Sequence, residues 1–308
     1  LLRLGIFFLC FALFTACGGG GGEESADATT QEDTPEEIVK SGRQLRLEEI
    51  GLASPESVIG DGTHYYVSNV GPKLEPFEKD GDGFIMKLDA EGQVVAEKFI
   101  EGLDAPKGSA IVNGKFYVAD IDKVKIFDLA TGEAAGEIDF SGKGTSFLND
   151  IAVKSNDEIF VSATDINRIY LIKLSDNSVE AIESTPNYQK PNGLWWDAEG
   201  NRLLVVGYPN EPTGVIGAIS FKGADRIYTQ LNAFAGLLDG VAIVGGLIFV
   251  TDWNRGAMLV LNEEAQQIGG FPLPKSPIEG PADFFFDAKK GEFWIPGMKE
   301  STISIQTL

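Results

Sequence analysis

Short apolar segments alternate with turn residues along most of the chain. Residues 108–140 give the pattern clearly, with the segments GSAIV, KFYVAD, KVKIFDL and AAGEIDF separated by NG, ID and ATGE. Residues 150–184 repeat it as DIAVK, EIFVSAT, RIYLIKL and SVEAIES. β-Branched and aromatic residues favour strands, and Gly, Asn and Asp favour the turns between them. The pattern predicts units of four short antiparallel strands.

Each predicted unit begins with a three-residue signature: a Pro or Leu, then a polar or small residue, then Ser, Gly or Asp. The six copies are Pro55-Glu56-Ser57, Pro106-Lys107-Gly108, Leu148-Asn149-Asp150, Pro191-Asn192-Gly193, Leu238-Asp239-Gly240 and Pro281-Ala282-Asp283. They recur every 42 to 51 residues, which is the length of a propeller blade of four strands.

One strand is left over at each end of these repeats. The sixth unit ends at 301–308 without a fourth strand, and an unassigned segment, RQLRLEEI at 43–50, precedes the first unit. Pairing the two would close a ring and leave no open sheet edge. We therefore predict an all-β, six-bladed β-propeller over 45–308, with four antiparallel strands per blade and an N-terminal strand that joins the last blade.

The second residue of each signature is expected to line the central channel. Strands in a blade alternate in direction, so the start of the first strand and the end of the second lie on one face. The predicted ring consists of Glu56, Lys107, Asn149, Asn192, Asp239 and Ala282. Four of these carry carboxylate or amide oxygens, the ligands that hard divalent cations prefer. The alternative interpretation is a set of ordinary turn residues, because Asn, Asp and Pro are common in turns.

Four pieces of the chain together resemble the regucalcin/gluconolactonase family of six-bladed propellers. They are Glu56 with Asp61, Asn149-Asp150, Pro191-Asn192-Gly193-Leu194 and Asp239-Gly240. The resemblance covers 45–308. It implies that one divalent metal is bound by Glu56, Asn149, Asn192 and Asp239. We expect calcium, with magnesium, manganese and zinc as alternatives.

Two departures limit what the resemblance implies. Sugar lactonases of the family carry an Arg two residues before the Asn-Asp pair, where this chain has Phe147. The more distant paraoxonases use a pair of histidines, whereas this chain has only His64. The first departure argues against sugar-lactone specificity, and the second argues against paraoxonase-type chemistry.

The sequence supports two hypotheses about function. One is a metal-dependent hydrolase of lactones or related esters, in which Asp239, or Asp150 through a water, acts as general base. No Gly-x-Ser-x-Gly motif stands in a fitting context, so covalent acyl transfer is disfavoured. The other is a non-catalytic propeller that binds a small ligand or an envelope protein and holds a structural metal.

Further residues are expected near the site because loops between second and third strands lie on the same face. The loop from Asn69 to Gly83 is long, which suggests a lid or a specificity loop. The candidates to line a substrate pocket are Lys107, Tyr208, Trp253 and Phe77.

The N-terminus is typical of an exported protein. Arg3 precedes an apolar run from Leu4 to Phe14, which is short for a membrane span of roughly 20 residues. The segment Leu13-Phe14-Thr15-Ala16-Cys17 resembles a bacterial lipobox, which implies lipidation of Cys17. Gly18 in the following position implies the outer membrane in a Gram-negative cell. Residues 18–44 are Gly-rich and then acidic, and predict a flexible tether.

Charge narrows the choice of partners. The chain has 25 Lys and Arg against 46 Asp and Glu, a net charge of −21. Nucleic acid is disfavoured because phosphate binding needs clustered cations. Membrane attachment is expected only through the lipid on Cys17. We expect a monomer whose partner is a small-molecule ester or lactone, or an envelope protein.

Overall fold

The computed structural model describes residues 44–183, 189–210, 212–272 and 279–307. Within these ranges the chain forms six antiparallel sheets of four strands each, which confirms the predicted six-bladed propeller. Cys17 and the predicted tether up to residue 43 lie outside the described residues. No helix among the described residues has the length and apolar character needed to cross a bilayer.

The strands follow one another blade by blade. The closing strand and the first two blades contain β1 (Gln44–Leu47), β2 (Pro55–Gly60), β3 (Tyr65–Asn69), β4 (Gly83–Leu88), β5 (Val94–Leu103), β6 (Pro106–Val112), β7 (Lys115–Asp120), β8 (Lys123–Asp128) and β9 (Ala134–Asp139). The third and fourth blades contain β10 (Leu148–Val153), β11 (Glu158–Ala163), β12 (Arg168–Lys173), β13 (Ser178–Ala181), β14 (Pro191–Asp197), β15 (Arg202–Asn210), β16 (Thr213–Lys222) and β17 (Asp225–Ala235). The last two contain β18 (Leu238–Val244), β19 (Leu247–Asp252), β20 (Ala257–Leu261), β21 (Gln267–Pro272), β22 (Phe285–Asp287), β23 (Glu292–Gly297) and β24 (Thr302–Thr307). A 3-10 helix at Ser141–Lys143 connects the second and third blades.

The ring closes as the sequence predicts. β1 pairs antiparallel with β24, from Gln44 opposite Gln306 to Leu47 opposite Ile303, and becomes the outermost strand of the sixth blade. The strand is shorter than the predicted 43–50 segment, because the chain bends after Leu47 and Glu49 takes a positive φ of 58°. The last blade is therefore built from both ends of the propeller sequence.

The hydrophobic core is divided among the interfaces between blades. In the described residues each pair of neighbouring blades shares one cluster of buried apolar side chains. Between the second and third blades, for example, Val124 and Ile126 of β8 belong to one cluster with Ile151 and Val161 of the next blade. Successive side chains of a strand point to opposite faces of its blade, and each face packs against a neighbouring blade. Both faces are therefore apolar, and the polar residues lie mainly at the strand ends.

Each signature holds a β-bulge. In the third blade Leu148 lies opposite Ala163 and Ile151 opposite Val161, so the signature carries one extra residue. The same shift occurs at the signatures of the other blades, including the sixth, where Pro281 bridges Gly297 before Phe285 pairs with Trp294. A bulge re-aims the side chains that it contains. Here it places polar side chains in the channel.

Candidate functional site

A cavity of about 330 Å³ opens where the first strands of the blades begin. We call it the upper cavity. Five of the six predicted ring residues line it: Glu56, Lys107, Asn149, Asn192 and Asp239. Each of these side chains is buried. The sixth, Ala282, is fully buried and packs in a small apolar cluster with Val70 and Met298.

The remaining wall of the upper cavity is largely apolar. Its residues are Leu74, Pro76, Phe147, Tyr208, Leu237, Leu238, Trp253 and Met298. Tyr208 and Trp253 lie in this wall, and the long loop contributes Leu74 and Pro76. Phe77 does not line the cavity. Its side chain is 56% exposed and stacks on Phe147, with the ring centroids 4.5 Å apart.

Three ring side chains hold buried oxygens that have no hydrogen-bond partner among the described residues: Glu56 Oε2, Asn149 Oδ1 and Asp239 Oδ1. The opposite ends of two of these side chains are fixed. Asn149 Nδ2 donates to Thr164 Oγ1 at 3.2 Å, and Asn192 Nδ2 donates to Asp239 Oδ2 at 3.2 Å. Buried acceptors without partners destabilise a fold by about 1–3 kcal/mol each, so this ring is suited to a ligand that supplies positive charge.

The donor set fits a hard cation. The residues of the described ranges form no group of three or more His, Cys, Asp or Glu at metal-binding distance. The ring instead offers two carboxylates and two amides, Glu56, Asp239, Asn149 and Asn192. Oxygen ligands of this mixed kind suit calcium or magnesium, whereas zinc favours His and Cys.

Burial and mutual repulsion raise the pKa values of the two acids in the ring. Burial raises the pKa of Asp239 to about 7, with the hydrogen bond from Asn192 acting in the opposite direction. Burial, followed by the charges of Asp239 and Asp283, raises the pKa of Glu56 well above its usual range. In the absence of a cation these side chains therefore retain protons near neutral pH. A bound cation would favour their ionised forms.

Lys107 is fully buried and connects the ring to the long loop. Its Nζ donates to Ala105 O at 2.9 Å and to Pro76 O at 3.0 Å, and lies 4.6 Å from the centroid of the Phe147 ring. Within the described part of the chain no carboxylate oxygen lies within 4.0 Å of this nitrogen. Burial lowers the pKa of Lys107 to about 8. Lys107 thus anchors the loop and places a cation at the cavity wall.

Asp150 lies behind the ring. Its carboxylate accepts hydrogen bonds from Ile151 N at 2.6 Å and Leu194 N at 2.7 Å, which ties the third blade to the fourth. The side chain lines a second cavity of about 260 Å³, further along the same inner strands, and not the upper cavity. Burial raises the pKa of Asp150 to about 6.

Asp283 is the channel residue that the sequence analysis missed. It lines the second cavity with Asp150, and Ser57 Oγ donates to its Oδ2 at 3.2 Å. Burial and the charges of Asp150 and Asp239 raise its pKa well above the usual range. A signal was present in the sequence: the third and sixth signatures both end in Asp.

Comparisons with known proteins establish the architecture. No family model matches the sequence, and no curated protein resembles it closely enough to count as a relative. A streptogramin B lyase structure is similar over 88% of this chain and 99% of its own, with 14% identity and a TM-score of 0.60. A luciferin-regenerating enzyme is similar over 87% and 95%, with 13% identity and a TM-score of 0.63.

A catalytically inactive virginiamycin B lyase from Staphylococcus aureus, solved with quinupristin, is similar over 87% of this chain and 99% of its own. Its identity is 15% and its TM-score 0.58. The chain shares the six-bladed propeller fold with these three enzymes. At these identities the similarity concerns the fold alone, so the chemistry of this chain has to be argued from its own cavity.

Proposed function

We propose that the upper cavity is the active site of a divalent-metal-dependent hydrolase that opens lactones or related esters with apolar groups. The observation that carries the proposal is the set of unpartnered buried oxygens on Glu56, Asn149 and Asp239, in one cavity under an apolar wall. We further propose kinship with the regucalcin/gluconolactonase family, because these residues with Asn192 match its ligand motif.

The ring residues would hold one cation, and calcium suits their oxygens best. A cation bound there would supply Lewis-acid polarisation of an ester carbonyl. Glu56 and Asp239 provide two negative charges to balance it, and Asn149 and Asn192 provide neutral oxygens. Because Thr164 fixes the amide nitrogen of Asn149, its unpartnered Oδ1 is already oriented before a ligand arrives.

Asp239 is the general base of the proposal. Its Oδ2 is occupied by Asn192 Nδ2, and its Oδ1 remains available to accept a proton from a water in the cavity. The pKa of Asp239 is about 7 without a cation, and a bound cation would lower it, so the carboxylate would be ionised and able to accept a proton at neutral pH. Asp150 is less suited to act as the base, because both of its carboxylate oxygens accept backbone hydrogen bonds and its side chain lines the other cavity.

The apolar wall supports a lipophilic substrate. Phe147, Leu237 and Trp253 offer carbon surface that excludes water and accommodates an alkyl or aryl group. Phe147 occupies the position at which sugar lactonases carry Arg, so hydroxyl groups of a sugar ring would find no donor from that side chain. A neutral lactone or ester with an apolar substituent fits the cavity better.

The test combines metal binding with a substrate panel. Full-length protein is treated with a chelator, titrated with calcium by calorimetry, and then assayed on alkyl lactones and aryl esters beside Glu56→Gln and Asp239→Asn. Asp225→Asn, at an exposed position, is the matched control. We expect saturable binding and turnover in the wild type and the control, and neither in the two ring variants.

Metal binding without turnover of any substrate would refute the hydrolase. It would leave a propeller that binds a small ligand or an envelope protein around a structural metal. Loss of a partner on substitution in the 70–82 loop would then identify that function.

We also propose that the protein is exported and anchored in the cell envelope by a lipid on Cys17, in the outer membrane of a Gram-negative cell. The lipobox-like segment and the acidic tether support this. Incorporation of labelled palmitate that is lost in Cys17→Ser would test it.

A further inference from the structure

The second cavity, which we call the lower cavity, lies along the inner strands beyond the signatures. Its volume is about 260 Å³, and its wall includes Val58, Ile151 and Leu194, each downstream of the signature in its own strand. The proposed hydrolase does not use it. Its lining combines acids, a hydroxyl and aromatic rings.

The polar groups of the lower cavity have an excess of acceptors. Asp150 and Asp283 both line it; Asp150 is buried and Asp283 is half-buried. Ser109 also lines the cavity. Its side chain is 7% exposed, and its Oγ has no hydrogen-bond partner within the part of the chain that the structure describes. A buried hydroxyl without a partner, in one cavity with two carboxyl groups, suits a ligand that donates hydrogen bonds and carries positive charge.

The rest of the lining is apolar and aromatic. Trp195, Trp196, Phe284 and Phe285 contribute ring surface, and Trp195 is 37% exposed. Rings of this kind attract organic cations through their faces and pack against the carbon body of such a ligand.

The same composition disfavours a metal ion. A bare cation would need further oxygen ligands, and apart from Asp150, Asp283 and Ser109 the side chains that line this cavity are apolar or aromatic. Asp150 already accepts two backbone hydrogen bonds. A ligand with a primary ammonium group and an apolar body would pair with the acids and pack against the aromatic rings.

We propose that the lower cavity is a second binding site, selective for small primary ammonium compounds with an aryl or alkyl body. The ammonium lies between Asp150 and Asp283 and donates to Ser109 Oγ. The body of the ligand packs against Trp195 and Phe285. This proposal does not rest on the hydrolase proposed for the upper cavity.

The test is a calorimetric titration of full-length protein with benzylamine at neutral pH. Benzyl alcohol is the matched neutral probe, and calcium chloride is the metal probe. We expect saturable benzylamine binding, and no detectable binding of benzyl alcohol. Asp283→Asn should weaken benzylamine binding by about tenfold or more, since it removes one charge partner of the ammonium. Asp225→Asn should leave it unchanged.

Two further variants distinguish a loss of binding from a loss of folding. Trp195→Ala alters a partly exposed side chain and Ser109→Ala removes only a hydroxyl, and each should weaken benzylamine binding. Trp253→Ala, in the upper cavity, should not. Equal binding of benzyl alcohol, full binding by Asp283→Asn, loss of binding in Trp253→Ala, or competitive displacement of benzylamine by calcium would each overturn the proposal.

Discussion

Asn192 Nδ2 donates a hydrogen bond to Asp239 Oδ2 at 3.2 Å, across 47 residues of sequence. The bond joins the signatures of the fourth and fifth blades inside the channel. It also fixes the carboxylate so that Oδ1 remains without a partner. Two residues that the proposal assigns to one metal thus already hold each other in place.

Replacement of Asn192 tests this arrangement. We expect Asn192→Ala to weaken calcium binding by about tenfold or more, which corresponds to about 1.4 kcal/mol, because Asp239 loses its orienting donor and the ring loses one amide. Calorimetry at constant pH measures the change. Asn156→Ala, at an exposed turn, should bind calcium like the wild type. Unchanged affinity in Asn192→Ala would exclude this side chain from the site.

The buried acids predict how stability depends on pH. The folded protein holds the proton of Asp239 up to a pKa of about 7 and that of Asp150 up to about 6, whereas an unfolded Asp titrates near 3.8. The stabilisation is complete below the unfolded pKa and is lost as pH rises through the folded values. We therefore expect the cation-free protein to become progressively less stable as the pH rises from 4 to 7.

Urea unfolding of chelator-treated protein across this range measures the loss. Saturating calcium should flatten the profile, because the cation favours the ionised acids, and Asp239→Asn should reduce the slope without added metal. A cation-free protein that is equally stable at pH 4 and pH 7 would contradict the buried-acid account.

Gly193, the third residue of the fourth signature, has no room for a side chain. A Cβ on Gly193 would clash with the backbone oxygen of Asp239 in the next blade, whereas a Cβ on Gly142 would meet no described atom within 4 Å. We expect Gly193→Ala to reduce the free energy of unfolding by about 1–3 kcal/mol, as overpacking does, and to weaken calcium binding because Asp239 moves. Gly142→Ala serves as the control. Equal stability of both variants would show that the ring can expand at no measurable cost.

The blades could be predicted because the residues that define each strand and turn are close together in the sequence. Strand segments, turn residues and the six signatures recur in register, and the unpaired segment before Pro55 indicated how the ring closes. The ring in the upper cavity followed from the same register, since Glu56, Lys107, Asn149, Asn192 and Asp239 are equivalent positions.

The other features depend on non-local geometry. The repeat pattern predicts one channel residue per blade, at the second signature position, which in the sixth blade is Ala282. The bulge and the alternation of side chains bring the third position to the channel as well, at a deeper level, so Asp150 and Asp283 meet in the lower cavity. The placement of Phe77 depends on how its loop folds back on Phe147, and no periodicity in the sequence encodes that contact.

The contact from Lys107 Nζ to Pro76 O makes the long loop a testable part of the site. Lys107→Met keeps much of the apolar stem but removes the donor, so the loop loses its bond to the ring. We expect faster amide hydrogen exchange across residues 70–82, with exchange in β7 unchanged, and a higher KM for any substrate whose apolar group contacts Leu74. Lys73→Met is the matched control, because Lys73 lies in the same loop and pairs only within it, with Glu75 at 3.9 Å among the described residues. If both variants exchange alike, the loop is held by its apolar contacts, such as Phe77 on Phe147, and Lys107 acts only through its charge.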